Sequence, residues 1–176
     1  MQKFFLISVF SFILFESSGQ MLKKHPVYLY GQFTQTIYDQ TLGNNPWGIG
    51  AGLQYLFNHF SKFSPTVEIA ADGYLEDDKV LRLNSDGTPM KTVDYMVNLF
   101  AGVSYQPLKK FYLSLSAGPS LVSGETLFGL KPSFGFYFSK DQKWVVKISY
   151  INIFNRNQKT GEDFGSVSLS LGISIF

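Results

Sequence analysis

The chain has 176 residues, a net charge of +2, 45% hydrophobic and 17% aromatic content, only 16% charged residues and no cysteine. That length suits one domain. The missing cysteine excludes a disulfide framework and a lipoprotein anchor, and the low charge without a basic stripe argues against a nucleic-acid partner. Stability must therefore come from apolar burial or from a membrane.

At the N-terminus, Lys3 precedes an apolar run from Phe4 to Phe15. A bilayer span needs about 20 residues, so this run is too short to cross and suits the core of a secretory signal. Ser17, Ser18 and Gly19 follow, and cleavage before Gln20 would put Ser17 and Gly19 at the small-residue positions. The reading divides the chain into a signal peptide, 1–19, and a single folded domain, 20–176.

Eight segments of period-two alternation follow, the pattern of β-strands with two different faces. The first, Val27–Tyr38, puts Val27, Leu29, Gly31 and Phe33 on one face and Tyr28, Tyr30, Gln32, Thr34 and Thr36 on the other. Trp47–Phe57 sets Trp47, Ile49, Ala51, Leu53 and Tyr55 against Gly48, Gly50, Gly52 and Gln54. Thr66–Tyr74 sets Val67, Ile69 and Ala71 against Thr66, Glu68 and Asp72, and Val93–Tyr105 sets Tyr95, Val97, Leu99, Ala101 and Val103 against Asn98, Gly102 and Ser104. Phe111–Val122 sets Phe111, Leu113, Leu115 and Ala117 against Tyr112, Ser114, Ser116 and Gly118. Phe128–Phe138 sets Phe128, Leu130, Phe134, Phe136 and Phe138 against Gly129, Lys131, Ser133 and Gly135. Pro132 lies inside that run and predicts a bulge or a local break in pairing. Trp144–Phe154 sets Val146, Ile148 and Tyr150 against Lys147 and Ser149, and loses clean alternation from Ile151 onward. The last strand, from Phe164 to Phe176, sets Val167, Leu169, Leu171, Ile173 and Ile175 against Ser166, Ser168, Ser170, Gly172 and Ser174.

One face is bulky and apolar; the other is mostly Gly, Ser and Thr with a few charges. Eight antiparallel strands closed on themselves leave a narrow interior, which small polar side chains fit and this many Phe, Leu, Ile and Tyr do not. The expected fold is thus all-β: an eight-stranded antiparallel up-and-down transmembrane β-barrel of a Gram-negative outer membrane, its bulky wall turned to lipid. The alternative is a soluble, lipocalin-like secreted carrier with the apolar face inside. Connection lengths favour the membrane barrel: Asp39–Pro46, Leu75–Thr92 and Asn155–Asp163 are long and fall at one end, whereas Gln106–Lys110 and Ser139–Lys143 are short and fall at the other. Ser123–Thr126 and Asn58–Pro65 depart from that alternation, the first short for its end and the second long.

Four charged residues, Glu68, Asp72, Lys131 and Lys147, fall on the lumen face. Charges in a narrow lumen must pair or hold water. Height counted along each strand predicts two ion pairs, Glu68–Lys147 and Asp72–Lys131, that plug the barrel; an ion-conducting path is the other use of such charges. Trp47, Tyr38, Tyr74, Tyr95, Tyr105, Phe111, Phe138 and Trp144 lie near strand ends and are expected to form aromatic girdles at the two membrane interfaces. Glu76, Asp77, Asp78 and Asp86, interspersed with Lys79, Arg82 and Lys91, occupy the longest loop. Their spacing fits no calcium loop, and Asp86-Gly87 reads as a turn.

On these features the mature chain resembles the small outer-membrane β-barrel proteins, the eight-stranded OmpA-like and OmpX-like group. The resemblance rests on the signal Met1–Gly19, the alternating strands and the terminal aromatic Phe176. It implies a monomer in outer-membrane lipid, delivered by the barrel-insertion machinery, which in that group recognises the terminal Phe. In the familiar pattern alternate residues counted back from that Phe are apolar; here they are Ser174, Gly172 and Ser170. Catalytic sets in enzymes of such barrels generally include a His. This chain has His25, before the first strand, and His59, after the second, both on the side away from the outer leaflet. Ser149–Asp163 is faintly similar to the outer-membrane lipid A deacylases, with Asn152 and Phe154 where their motif has His and Ser, and only Asn155 kept. Without nucleophile and base that hydrolysis cannot run. The expected role is non-enzymatic, without a cofactor or metal: a structural protein, or one that interacts through its outer loops. An enzyme or a narrow channel of the same fold is the alternative.

Overall fold

The structure, a computed structural model, describes residues 25–37, 47–57, 62–75, 87, 93–157 and 162–175. The signal peptide and its cleavage site, Tyr38, His59, the acidic cluster from Glu76 to Asp86 and Phe176 lie outside the described residues. Eight strands run in chain order: β1 (Val27–Thr36), β2 (Trp47–Leu56), β3 (Phe63–Tyr74), β4 (Tyr95–Leu108), β5 (Phe111–Val122), β6 (Glu125–Tyr137), β7 (Trp144–Asn157) and β8 (Glu162–Ser174). Each pairs antiparallel with the next, and β8 closes on β1. This is the up-and-down barrel expected from the sequence. Among the described residues no helix is long and apolar enough to cross a membrane.

The register fixes the barrel's shape. Stepping across the pairs from Val27 through Tyr55, Val67, Ala101, Ala117, Leu130, Asn152 and Gly165 returns to β1 at Ile37, a stagger of ten residues. A stagger of that size tilts the strands by about 35–45° and leaves an interior that side chains fill.

Alternation along the strands decides what lines each surface. Leu29, Phe33, Ile49, Ile69, Leu99, Leu113, Leu115, Phe134, Leu169 and Leu171 all face outward and are exposed, whereas Gln32, Thr34, Gln54, Glu68, Asp72, Asn98, Lys131, Lys147, Ser168 and Ser170 are buried inside. The apolar face is the outer wall, and the carrier arrangement with that face inside is excluded.

Three boundaries differ from the sequence reading. The connection between β5 and β6 is the two-residue turn Ser123–Gly124, with φ of 45° and 93°. Left-handed residues match the twist of a hairpin, so pairing continues to Val122↔Glu125. β3 begins at Phe63, because Pro65 pairs with Val103 and adds to the strand; the apparently long connection before it shrinks accordingly. Beyond Ile153, β7 is bulged against β8 and Asn155 has φ 56°. Ile151 and Ile153 are both fully buried there, with Asn152 buried between them.

Pro132 causes no bulge. It pairs with Leu115 of β5, but on its other side the ladder passes from Leu130↔Asn152 to Ser133↔Ser149 with the register unchanged. Proline has no N–H to give that neighbour, so the seam is interrupted rather than shifted.

An outward arginine at mid-wall is expected to separate the two faces. Leu115→Arg or Leu169→Arg should destabilise the vesicle-inserted barrel by about 2–4 kcal/mol, read by urea unfolding in liposomes, the cost of a cation facing hydrocarbon.

Candidate functional site

β3 carries Glu68 and Asp72 four residues apart, so both side chains leave the same face of the strand and enter the lumen one above the other. Lys131 enters from β6 and Lys147 from β7. All four are buried, with exposures of 4%, 2%, 0% and 2% respectively.

The structure gathers three of them at one point. Glu68 Oε1 receives Lys131 Nζ, and Glu68 Oε2 receives Lys147 Nζ at 2.9 Å. Tyr30 Oη also donates to Glu68 Oε1, at 2.5 Å, and Lys147 Nζ stands 4.0 Å from the centroid of the Tyr30 ring. Gln54 Oε1 accepts from Lys147 Nζ and from Tyr112 Oη, each at 3.4 Å. Glu68 thus holds two lysines and a phenol, and Gln54 takes a further donor from Lys147.

The expected Asp72–Lys131 pair is not formed. Asp72 Oδ1 instead accepts from Gln32 Nε2 at 2.5 Å and Thr34 Oγ1 at 3.4 Å, while Ser170 Oγ donates back to Gln32 Oε1 at 3.3 Å. Counting height along each strand ignores the stagger, which carries β6 relative to β3 and puts Lys131 within reach of Glu68. The four groups still balance formally, two cations against two carboxylates.

Above and below this belt lie two apolar clusters. Toward the end that carries the chain termini, Tyr28, Leu56, Tyr112, Tyr137 and Val145 pack together. Toward the other end, Tyr74, Val93, Met96, Phe100, Val122, Ile151, Ile153 and Phe164 do the same, with the Tyr74 and Phe164 rings edge to face at 5.4 Å. The lumen lining is therefore not only small: bulky rings lie inside, two of them against glycines. Tyr30 pairs with Gly52 and Gly172, and Tyr112 pairs with Gly135. A Cβ at Gly52 would run into the Tyr30 ring, and one at Gly135 into the Tyr112 ring.

Tyr74 also departs from expectation. It shares the parity of Glu68 and Asp72, so it points inward and joins the lumen cluster rather than a girdle. The other expected girdle residues that the structure describes face outward: Trp47, Tyr95, Tyr105, Phe138 and Trp144 are exposed, and Phe111 is half-buried beside Phe134 and Phe136. Near the terminus end, Phe63 stacks on Tyr105 at 4.8 Å and Phe138 on Trp144 at 6.2 Å; near the other end, Phe33 stacks on Trp47 at 5.8 Å and Phe128 on Phe154 at 6.2 Å.

Sequence reasoning placed Tyr30, Gln32 and Gln54 on the polar face but gave them no part in the charged centre. Their signal was parity shared with Glu68. Asp163 was missed outright: its carboxylate accepts from Asn152 Nδ2 and from the Asn155 backbone N–H, each at 2.9 Å. Tyr150 Oη donates to Asn152 Oδ1 at 3.1 Å. At this place in the wall the structure supplies an amide and a carboxylate, while Phe154 brings a hydrocarbon ring where a hydroxyl nucleophile would have to stand. His25 is exposed at the terminus end, its ring centroid 6.1 Å from that of Tyr55. Among the described residues no group of three His, Asp or Glu side chains is placed to hold a metal ion.

Removing the shared acceptor should be costly. Glu68→Gln removes the carboxylate that both buried ammonium groups contact, and is expected to destabilise the barrel by about 3–5 kcal/mol in urea unfolding. The combined variant Glu68→Leu, Lys131→Met, Lys147→Met removes all three charges and should recover most of that loss.

No protein-family model and no curated protein matches the chain. Solved structures do. A barrel from the de novo design of transmembrane β-barrels superposes with a TM-score of 0.57 at 12% identity, covering 89% of this chain and 100% of that one. The Yersinia pestis outer membrane protein Ail in a phospholipid bilayer nanodisc gives 0.55 at 13% identity, covering 86% and 100%. The crystal structure of Ail, the attachment invasion locus protein of Yersinia pestis, gives 0.52 at 12%, covering 85% and 95%. At such identities the likeness speaks for the fold: the chain adopts the eight-stranded fold of small outer-membrane β-barrels.

Proposed function

We propose that this protein is an integral outer-membrane barrel with a plugged lumen, and that its role is structural or interactive, exercised through the loops at the end away from the chain termini. The observation that carries this reading is the opposition of the two surfaces. The outer wall is a continuous belt of exposed Leu, Ile, Val and Phe with aromatic residues toward both rims, whereas the axis is filled by the Glu68–Lys131–Lys147 centre between two apolar clusters. A wall of that kind is stable in hydrocarbon and aggregates in water. In this reading the outward rings of Trp47, Tyr95, Tyr105, Phe111, Phe138 and Trp144 sit at the lipid headgroups. Met1–Gly19 directs export, the insertion machinery reads the last strand with Phe176, and the barrel works as a monomer.

A plug is favoured over a conduction path because the charged groups are spent on one another. Each lysine is engaged by Glu68, and Asp72 by Gln32 and Thr34. An ion passing along the axis would have to part these contacts and both apolar clusters. The same inventory supports a non-catalytic role: Glu68, Lys131 and Lys147 are engaged with one another as a buried ion cluster.

Purified protein in planar bilayers is expected to show no steady conductance. Sustained single-channel current from the wild-type chain would contradict the plug. On fractionation the protein should remain with the membrane until detergent is added and should migrate differently on a gel before and after boiling. Recovery in a detergent-free supernatant would contradict the membrane assignment.

A further inference from the structure

The wall is not uniformly stitched. Between β1 and β2, β2 and β3, β3 and β4, and β8 and β1, the pairs run without a gap from one end of each ladder to the other. β5 and β6 are joined in the same way, from Phe111↔Phe136 to Val122↔Glu125, and share the tight Ser123–Gly124 turn. Both seams that flank this hairpin are interrupted in mid-strand; the β7–β8 ladder is broken as well, between Ile153 and Asn157, but only near its end. Between β4 and β5 the ladder passes from Asn98↔Ser120 to Ala101↔Ala117, omitting the stretch that contains Pro119. Between β6 and β7 it passes from Leu130↔Asn152 to Ser133↔Ser149, omitting the stretch that contains Pro132. The β4–β5 seam shifts register a second time between Tyr105 and Leu108, next to Pro107.

Each proline removes the backbone donor that the neighbouring strand needs. A hairpin complete in itself but stitched less fully on both sides is a unit that opens on its own, because local opening follows the boundaries where fewest hydrogen bonds must break.

We propose that the β5–β6 hairpin is a separate panel of the barrel wall, the first part to open and the last to zip shut, latched from inside by Lys131 on Glu68. Lys131 ties the panel to the rest of the barrel by charge: it leaves β6, crosses the lumen and meets an acceptor rooted in β3. Weaker ties accompany it, among them Ser120 Oγ to Asn98 Oδ1 at 2.7 Å, Tyr112 Oη to Gln54 Oε1 at 3.4 Å and the Asp94 N–H to Ser123 Oγ at 3.1 Å. Lys147 binds the same carboxylate but stands on β7, outside the panel. The two lysines therefore differ in consequence although they share a partner: one spans the interrupted seams and the other does not.

Amide hydrogen exchange of the full barrel in lipid nanodiscs, followed by mass spectrometry, tests this. Amides at the β4–β5 and β6–β7 seams should exchange ahead of those between β1, β2 and β3. Lys131→Met should speed exchange at both flanking seams by about tenfold, the loss of a charge-assisted bond, and leave β1–β3 unchanged. Lys147→Met should not reproduce that pattern. Restoring a donor with Pro119→Val and Pro132→Val should slow the same seams and needs no loss of a buried charge, so it reports even if the lysine variants fail to fold. Even protection around the whole wall, or no slowing in the proline variants, would overturn the proposal; so would the same pattern in both lysine variants.

Discussion

The structure turns on one carboxylate. Glu68 lies at the middle of a tube whose outside is hydrocarbon-like and whose inside is filled with side chains at this level, and two lysines from the opposite wall converge on it. Ammonium groups cannot stay buried without a counter-charge. The surroundings are consequently arranged around this point: Tyr30 donates to it, Gln54 takes up Lys147, and Gly52 is free of a side chain so that the Tyr30 ring can lie flat over it. Apolar clusters lie above and below the belt, and hydrogen bonds in such low-dielectric surroundings are stronger than in water.

The outer wall and the inner belt are one design seen from two sides. Because side chains alternate strictly, each outward Leu or Phe commits its neighbours to the lumen. A strand such as β8, with Val167, Leu169 and Leu171 outside, must then carry Ser166, Ser168 and Ser170 inside, and these small residues leave room for the long side chains that cross from β6 and β7. The ten-residue stagger sets which of those chains meet.

That stagger explains what the sequence displayed and what it hid. Parity was legible: the lipid-facing set on every strand, the lumen position of all four charges and the closure into eight strands followed from alternation and turn residues alone. Partner choice was not. Whether Lys131 reaches Glu68 or Asp72 depends on how far β6 has climbed relative to β3, and that is a property of the closed barrel rather than of either strand. Tyr74 was legible in principle, since it alternates with Asp72, but its place at a strand end suggested a girdle. Tyr28, Tyr30 and Tyr112 stood on the polar face in the sequence, but that Tyr30 and Tyr112 have room there depends on the glycines opposite them, Gly52, Gly172 and Gly135, which only the register reveals. Asp163 carries no local signal, because it acts across a bulge that Asn155 creates only once β7 and β8 have paired.

The most direct measurement uses the absence of native cysteine. Single cysteines placed in turn along β8 from Ser166 to Gly172, each carrying a spin label, can be probed in bilayers with oxygen, which partitions into lipid, and with a water-soluble relaxation agent. The account predicts that Val167, Leu169 and Leu171 positions respond to oxygen, and that Ser166, Ser168, Ser170 and Gly172 positions respond to neither reagent because the lumen is filled. Strong response to the water-soluble agent at the serine positions would show an open aqueous core, and shielding of the leucine positions from oxygen would show that the apolar wall does not face lipid; either result contradicts the account.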